Sequence, residues 1–461
     1  MRKHKHDTSQ AATQDLGSGS VGGLLAQLAI PAVVAQVINL LYNIVDRIYI
    51  GHIPEVGATA LTGVGLFTAI LMLINAFAQL AGAGGAPRAA IAMGSQKNDV
   101  AERIMGNCFT LLLCMAVVLT AVFYFSAPTL LRLFGASDAT LPYAVAYARI
   151  YILGSIFVLL VMGMNPFITT QGFSRISMLT TVIGAVLNII LDPILIFGLG
   201  LGVRGAAIAT VFSQAVSAVW ILRFLTGKKT ILHLRRQNLR IEANVILPCL
   251  ALGVSSFVML STESLLSISF TSSLSRYGGD LAVGAMTIIT SVNQMAVLPI
   301  QGICQGGQPL MSYNFGARKE QRVRQTFKLQ LASCAIYAIA FWALIMLAPQ
   351  VFASAFTANT ELVSYTGWAL RIYAAGIFAV GFQMACQQSF MALGQARVSL
   401  LLACLRKLIL LIPLIFILPH IFVGNQVMAV FLAEPISDVT AAIVTVTTFL
   451  LRFDKILKQE R

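Results

Sequence analysis

The chain has 461 residues, of which 58% are hydrophobic and only 10% charged, and its mean hydropathy is +0.84. No water-soluble core of this size hides that much apolar surface, so composition excludes a soluble globular enzyme and places the protein in a bilayer. Lys and Arg outnumber Asp and Glu by 31 to 17, a net charge of +14. Its placement marks membrane topology, with room for acidic lipid, and gives no support to nucleic-acid binding.

The chain opens on MRKHKHDTSQAATQDLGSGS, which is polar and basic. The apolar run that follows is too long for a signal-peptide core and lacks a convincing cleavage site, so residues 1–20 are predicted as a cytoplasmic tail leading into a retained helix. A spanning helix needs about 20 apolar residues. That rule predicts twelve helices centred near Asn39, Ile70, Val118, Phe157, Leu187, Ala215, Leu260, Gln294, Ala340, Gly376, Leu411 and Ala441. With both termini inside, the segments on the inner side hold RKHK, Arg88 to Arg103, KKTILHLRRQNLR, RKEQRVRQTFK, Arg397 with Arg406 and Lys407, and LRFDKILKQER. The outer side keeps only Arg47, Arg132, Arg149, Arg204, Arg276 and Arg371, which is 6 of 31. Cytoplasmic loops carry the basic excess, so this orientation is the one predicted.

The twelve helices read as two copies of six. GGAPRAAIAMGSQK aligns with GGQPLMSYNFGARK, giving 309 − 87 = 316 − 94 = 222 for the matched prolines and glycines. The same offset pairs Arg149 with Arg371, Tyr151 with Tyr373, Gly154 with Gly376 and Gly172 with Gly394. An even number of helices per copy makes the repeat parallel. The predicted fold is therefore an all-α membrane protein of twelve transmembrane helices in two six-helix lobes, related by a pseudo-two-fold along the membrane normal. The lobes are predicted at 21–225 and 245–452, with a cytoplasmic linker at 226–244, a cytoplasmic tail at 453–461, and a cleft between the lobes. The glycine cluster Gly82 to Pro87 is no phosphate loop, since no GK[ST] follows it. Its twin QGGQP suggests a helix irregularity shared by the second and eighth helices.

Ionisable side chains inside apolar runs are costly and are functional by default. The first helix carries Gln36, Asn39, Asn43 and Asp46 at steps of three, four and three, which stacks them on one face. The fifth carries Asn188 and Asp192 one turn apart, ahead of Pro193, and the sixth carries Thr210. Counted from the outer helix ends, Asp46, Asp192 and Thr210 share one depth. Two carboxylates, two amides and a hydroxyl there suit a hard cation such as Na⁺ or the uptake of a proton. The alternative is that Asp46 pairs with Arg47 or caps a helix end.

The second lobe does not copy this cluster: at the repeat offset Asp46 meets Ile268 and Asn188 meets Leu410. It has instead Glu263 on the seventh helix and Glu434 with Asp438 on the twelfth. With no obvious Lys or Arg at that depth, these three acids are expected to stand uncompensated on the cleft wall, attracting cations. The alternative is that Ser and Thr neighbours satisfy them. Met259, Met286, Met295, Phe257 and Phe382 could form an adaptable apolar pocket, although such residues are more often core. The seven cysteines form no CxxC pair, the five histidines no metal-spaced group, and no nucleophile stands beside a base. Catalysis, a disulfide framework and a resident metal have no support.

LYNIVDRIYIGH, GAPRAAIAMGSQ, TQGFSRISMLTTVIGAVLNIILDPILIFG and GVRGAAIATVFSQ resemble the corresponding segments of multidrug and toxic compound extrusion (MATE) transporters. AEPISD is similar to the MepA-like bacterial branch. The resemblance covers the first helix to the twelfth. It implies a first-lobe cation site at Asp46, Asn188, Asp192 and Thr210, a bend in the first helix at Pro31, and a role for the acidic Glu263. The acidic partner some members carry on the tenth helix is missing from FQMACQQSFMALG, which leaves a second-lobe cation site open. The implied activity is antiport across a bacterial plasma membrane: Na⁺ or H⁺ enters and an amphipathic, usually cationic small molecule leaves, with no other cofactor and no obligate protein partner. A flippase for lipid-linked precursors, from the same superfamily, is the alternative; it predicts a cationic cleft.

Overall fold

The computed structural model describes residues 16–458. The rest of the predicted tails, residues 1–15 and 459–461, lies outside the described residues. In hydrocarbon every backbone donor and acceptor must find its partner within the segment, so long apolar runs become helices. Among the described residues no strand occurs. The spans are α1 (Val21–Gly51), α2 (Gly57–Gly94), α3 (Asn98–Leu133), α4 (Leu141–Leu153 and Ser155–Thr170, bent by 56°), α5 (Ser174–Gly198) and α6 (Val203–Leu225). The second set begins with the continuous run Ala243–Gly316, broken by non-helical backbone at Gly279, which supplies α7 and α8. It continues with α9 (Glu320–Leu347), α10 (Thr360–Ala392), α11 (Ala396–Ile421) and α12 (Val423–Lys458).

The repeat is visible in the backbone. Helix starts stand apart by 243 − 21 = 320 − 98 = 377 − 155 = 396 − 174 = 222, and the ends Gly94 and Gly316 by the same number. Even the left-handed turn residues coincide, since Gln96 (φ 61°) matches Arg318 (φ 58°) and Gly172 (φ 89°) matches Gly394 (φ 71°). Each lobe therefore holds six spans, and each has its own apolar core. Exposed apolar stripes face outward from these cores: on α1, Ile30, Val34, Val37, Leu41, Ile44 and Ile48 recur every three or four residues. Such a stripe fits a lipid surface.

The side that carries the chain ends and the linker is called the terminus side below. Interlobe contacts concentrate there. A Cβ on Gly94 would run into the carbonyl of Tyr313, and one on Gly316 into that of Ile91. Because 313 − 91 = 316 − 94 = 222, this contact is its own image under the pseudo-two-fold. Ser95 Oγ adds a hydrogen bond to the Gly316 carbonyl at 2.9 Å. Farther in, Phe77 meets Phe257 edge to face at 4.9 Å, and Gln36 Nε2 donates to Gln305 Oε1 at 3.1 Å. Hence the lobes are shut on the terminus side.

Several expectations change. α2 and α8 run as continuous helix through Gly82 to Pro87 and through Gly306 to Pro309, so the glycine clusters mark close lobe packing and no irregularity. α1 is one continuous helix with Pro31 buried inside it. Residues 453–458, expected in the tail, extend α12: Phe453 stacks on Phe449 at 4.7 Å, and Ile456 and Leu457 are buried. The linker is strapped to the first lobe, where Gln171 Oε1 accepts from Ile231 N (2.7 Å) and Leu232 N (2.9 Å), and Glu102 Oε1 accepts from His233 N (3.0 Å). Residues 16–19 cross the other way, held on the second lobe by Asn314, Lys319 and Arg322 through their backbone carbonyls.

Candidate functional site: two clusters on matching helices

In the first lobe, Asn188 and Asp192 project from α5, one turn apart, and both are buried. Asn188 Nδ2 donates to Asp192 Oδ1 and to Thr210 Oγ1, each at 3.3 Å, and the Thr210 hydroxyl donates to the Ala206 carbonyl at 3.0 Å. Asp46 of α1 brings its carboxyl within hydrogen-bonding reach of the Asp192 carboxyl. Asp46 Oδ1, Asn188 Oδ1 and Asp192 Oδ2 are buried and receive no donor. No ion pair to Arg47 occurs among the described residues. A buried oxygen without a donor costs free energy, and three from adjacent side chains make a pocket that a small cation or a proton would stabilise.

The other polar residues of α1 are not part of this knot. At 100° per residue, Gln36, Asn39 and Asn43 fall on the face opposite the exposed apolar stripe. Gln36 reaches the second lobe through Gln305. Asn43 Nδ2 turns back to the Asn39 carbonyl at 2.6 Å.

Sequence reasoning missed the aromatic wall. Tyr147 and Tyr151 of α4 are buried against Phe67, at ring distances of 5.5 and 5.2 Å, and the Tyr147 hydroxyl lies within reach of Thr210. The spacing YARIY, which puts both rings on one helical face, was the available signal.

In the second lobe, the expectation of uncompensated acids is overturned. Arg406 Nε donates to Asp438 Oδ1 at 2.8 Å, and its Nη2 lies 2.6 Å from the same oxygen and 3.3 Å from Glu434 Oε1. Lys407 Nζ donates to Glu263 Oε1, and to the Met259 carbonyl at 2.7 Å. Neither base belongs to a connector, contrary to the expectation from the charge distribution. They sit ten and eleven residues into α11, which begins at Ala396, and at the α-helical rise this is roughly 15 Å inside. The local backbone is a π-helical turn, Leu405–Leu411, a rare form frequent at functional sites. The Ser437 hydroxyl donates to the Arg406 carbonyl at 2.8 Å; Ser437 thus serves the base and leaves the acids to Arg406 and Lys407.

The two clusters are counterparts. Each is built from the first, fifth and sixth helices of its lobe, and Tyr373 lies within electrostatic range of Glu434 and Asp438 as its repeat mate Tyr151 does of Asp46. At the offset of 222, however, Arg406 and Lys407 match Gly184 and Ala185. Among the described residues the first-lobe cluster contains no basic side chain, whereas the second lobe carries its own cations.

Comparisons with known proteins agree with this architecture. The MatE family model matches residues 31–194 and again residues 255–417, once per lobe. Multidrug export protein MepA of Staphylococcus saprophyticus is 23% identical over 431 residues, spanning 93% of each chain. The protein of that name from Staphylococcus aureus is 22% identical over the same length, again 93% of each. Among solved structures, MATE in the straight conformation matches with a TM-score of 0.90 at 24% identity, over 98% of this chain and 100% of that one. An outward-facing multidrug resistance MATE family transporter of the MOP superfamily gives 0.89, also at 24% identity and over the same shares. The fold, the paired lobes and the family model, which covers most of the sequence, lead to one assignment: the chain belongs to the MatE family of multidrug and toxic compound extrusion transporters.

Proposed function

We propose that this multi-pass transporter is an antiporter that exports amphipathic cationic compounds in exchange for Na⁺ or H⁺, by alternating access. In this reading Asp46, Asn188, Asp192 and Thr210 hold the coupling ion. The observation that carries it is the set of three buried, donorless oxygens on Asp46, Asn188 and Asp192. Asp46 stands on α1 and Asp192 on α5. A small cation or a proton between them draws the two helices together, and its departure leaves like charges that repel in a medium of low dielectric. Occupancy thereby biases the lobe toward one packing. A cationic substrate competes for the same negative field, so the two ligands favour different states, which is what exchange requires.

The orientation follows the basic residues: both termini and the linker lie in the cytoplasm of a bacterium, and the chain spans its plasma membrane. The seam at Gly94 and Gly316 then closes the inner side, and the cleft faces out. One chain suffices to form it.

The test is efflux of a cationic dye from everted vesicles with Na⁺ and pH gradients imposed separately. Uphill dye movement driven by one gradient, and lost in Asp46→Asn and Asp192→Asn, is the expected result; wild-type transport by both variants defeats the reading. A lipid-precursor flippase needs a cleft with surplus positive charge. Against it stands the charge balance, since Arg406 and Lys407 face Glu263, Glu434 and Asp438, two bases to three acids.

A further inference from the structure

The second-lobe network is one positive charge short, and its members differ in how firmly they are held. Asp438 is 2% exposed and takes two contacts from Arg406, at 2.8 and 2.6 Å. Glu434 receives only the longer contact from that guanidinium, at 3.3 Å, so it shares a base already committed elsewhere. Lys407 has a 6% exposed side chain, while its partner Glu263 is 46% exposed. Glu263 lies on the side of α7 opposite the exposed Leu247, Leu265 and Ile268. Its exposure is thus toward the cleft and away from lipid. Lys407 is the residue next to Arg406, whose guanidinium already lies 3.3 Å from Glu434, and its flexible four-carbon stem lets the ammonium move. Beside Glu263 the wall is soft and apolar: Met259, whose carbonyl Lys407 also contacts and whose sulfur Gln387 Nε2 contacts at 3.3 Å, lies one turn away on the same helix.

We propose that Glu263, Lys407 and Glu434 form a second-lobe subsite for one organic monocation. The substrate's positive group takes Glu263, and Lys407, a tethered counter-ion, moves from Glu263 to Glu434. The exchange balances charge. Before it, three carboxylates share two bases; after it, Arg406 keeps Asp438, Lys407 takes Glu434, and the substrate takes Glu263, so every charge has its own partner. An unpaired buried charge is expensive and a paired one much less so. The network consequently accepts one unit of positive charge from outside and no more. In the first lobe, where Gly184 and Ala185 stand in place of the two bases, the counter-ion has to be a mobile one.

This inference rests on the export of organic cations proposed above, and the test separates the two. Binding of tetraphenylphosphonium to the purified full-length protein in lipid nanodiscs is measured by isothermal titration, alongside efflux. Glu434→Gln removes the destination of Lys407 and is expected to weaken binding about tenfold, although Glu263 is untouched. Lys407→Met removes the competitor and is expected to tighten binding by a similar factor. The double variant Glu434→Gln with Lys407→Met should regain at least wild-type affinity, a reversal that a merely structural role of Glu434 does not produce. Lys407→Arg, which keeps a tethered cation, checks that the site tolerates substitution and should bind near the wild-type level. Glu434→Gln binding as wild type does, or a double variant no tighter than Glu434→Gln alone, overturns the tethered exchange while export stands. Absence of both binding and uphill efflux in the wild type defeats the export reading itself.

Discussion

The two lobes share a backbone register to the residue at several helix starts, yet they handle buried charge in opposite ways. The first gathers Asp46, Asn188, Asp192 and Thr210 around oxygens that lack donors. The second gathers Glu263, Glu434 and Asp438 around Arg406 and Lys407. A fold repeated in tandem can thus specialise without moving its helices, because only the side chains facing the lobe interior need to diverge. In one lobe buried oxygens stay without donors, and the other is largely neutralised by its own chain.

The comparison can be broken most directly at the carboxylates of the first lobe. Asp46→Asn and Asp192→Asn should each reduce dye efflux to background while membrane insertion, followed by fractionation, is retained. Thermal unfolding should show both variants at least as stable as wild type, since each removes a repelling charge. The second lobe should respond in the opposite sense: Arg406→Met strands Asp438 and Glu434 and should cost about 3–5 kcal/mol of stability, read as a lowered unfolding temperature. Adding Asp438→Asn should recover a large part of that loss; no recovery would show that Arg406 packs without serving as a counter-ion. Gly94→Val tests the closed seam, because its side chain must displace the Tyr313 carbonyl. It should cost about 1–3 kcal/mol and increase maleimide labelling of Cys249, which is buried beside that seam. The smallest effect belongs to Thr210→Val, which takes an acceptor from Asn188. Efflux should fall about fivefold, the worth of roughly one hydrogen bond.

Parts of this contrast were legible beforehand, and for physical reasons. Asp46 and Asp192 announced themselves because an acid in an apolar run needs a partner, and counting residues from helix ends placed them at one depth. Arg406 and Lys407 were misread because basic residues usually mark cytoplasmic connectors, although a span of about 20 residues centred on Leu411 already encloses both. Tyr151 and Tyr373 stood out only as repeat mates, since an aromatic residue in a membrane helix carries no sign of what its hydroxyl meets. Helix ends were softer still: Phe453, Ile456 and Leu457 continue α12 because Phe327 and Phe449 are there to receive them.

The sequence alone determined the membrane, the number of spans, the two-fold repeat and the acids worth watching, because hydropathy and fixed helical rise act locally along the chain. Which acids meet a base and which meet each other was decided only by the tertiary structure. Those pairings join helices far apart in sequence, α7 with α11 and α1 with α5, and a charge's cost inside a bilayer depends on the partner that packing brings within a few ångströms.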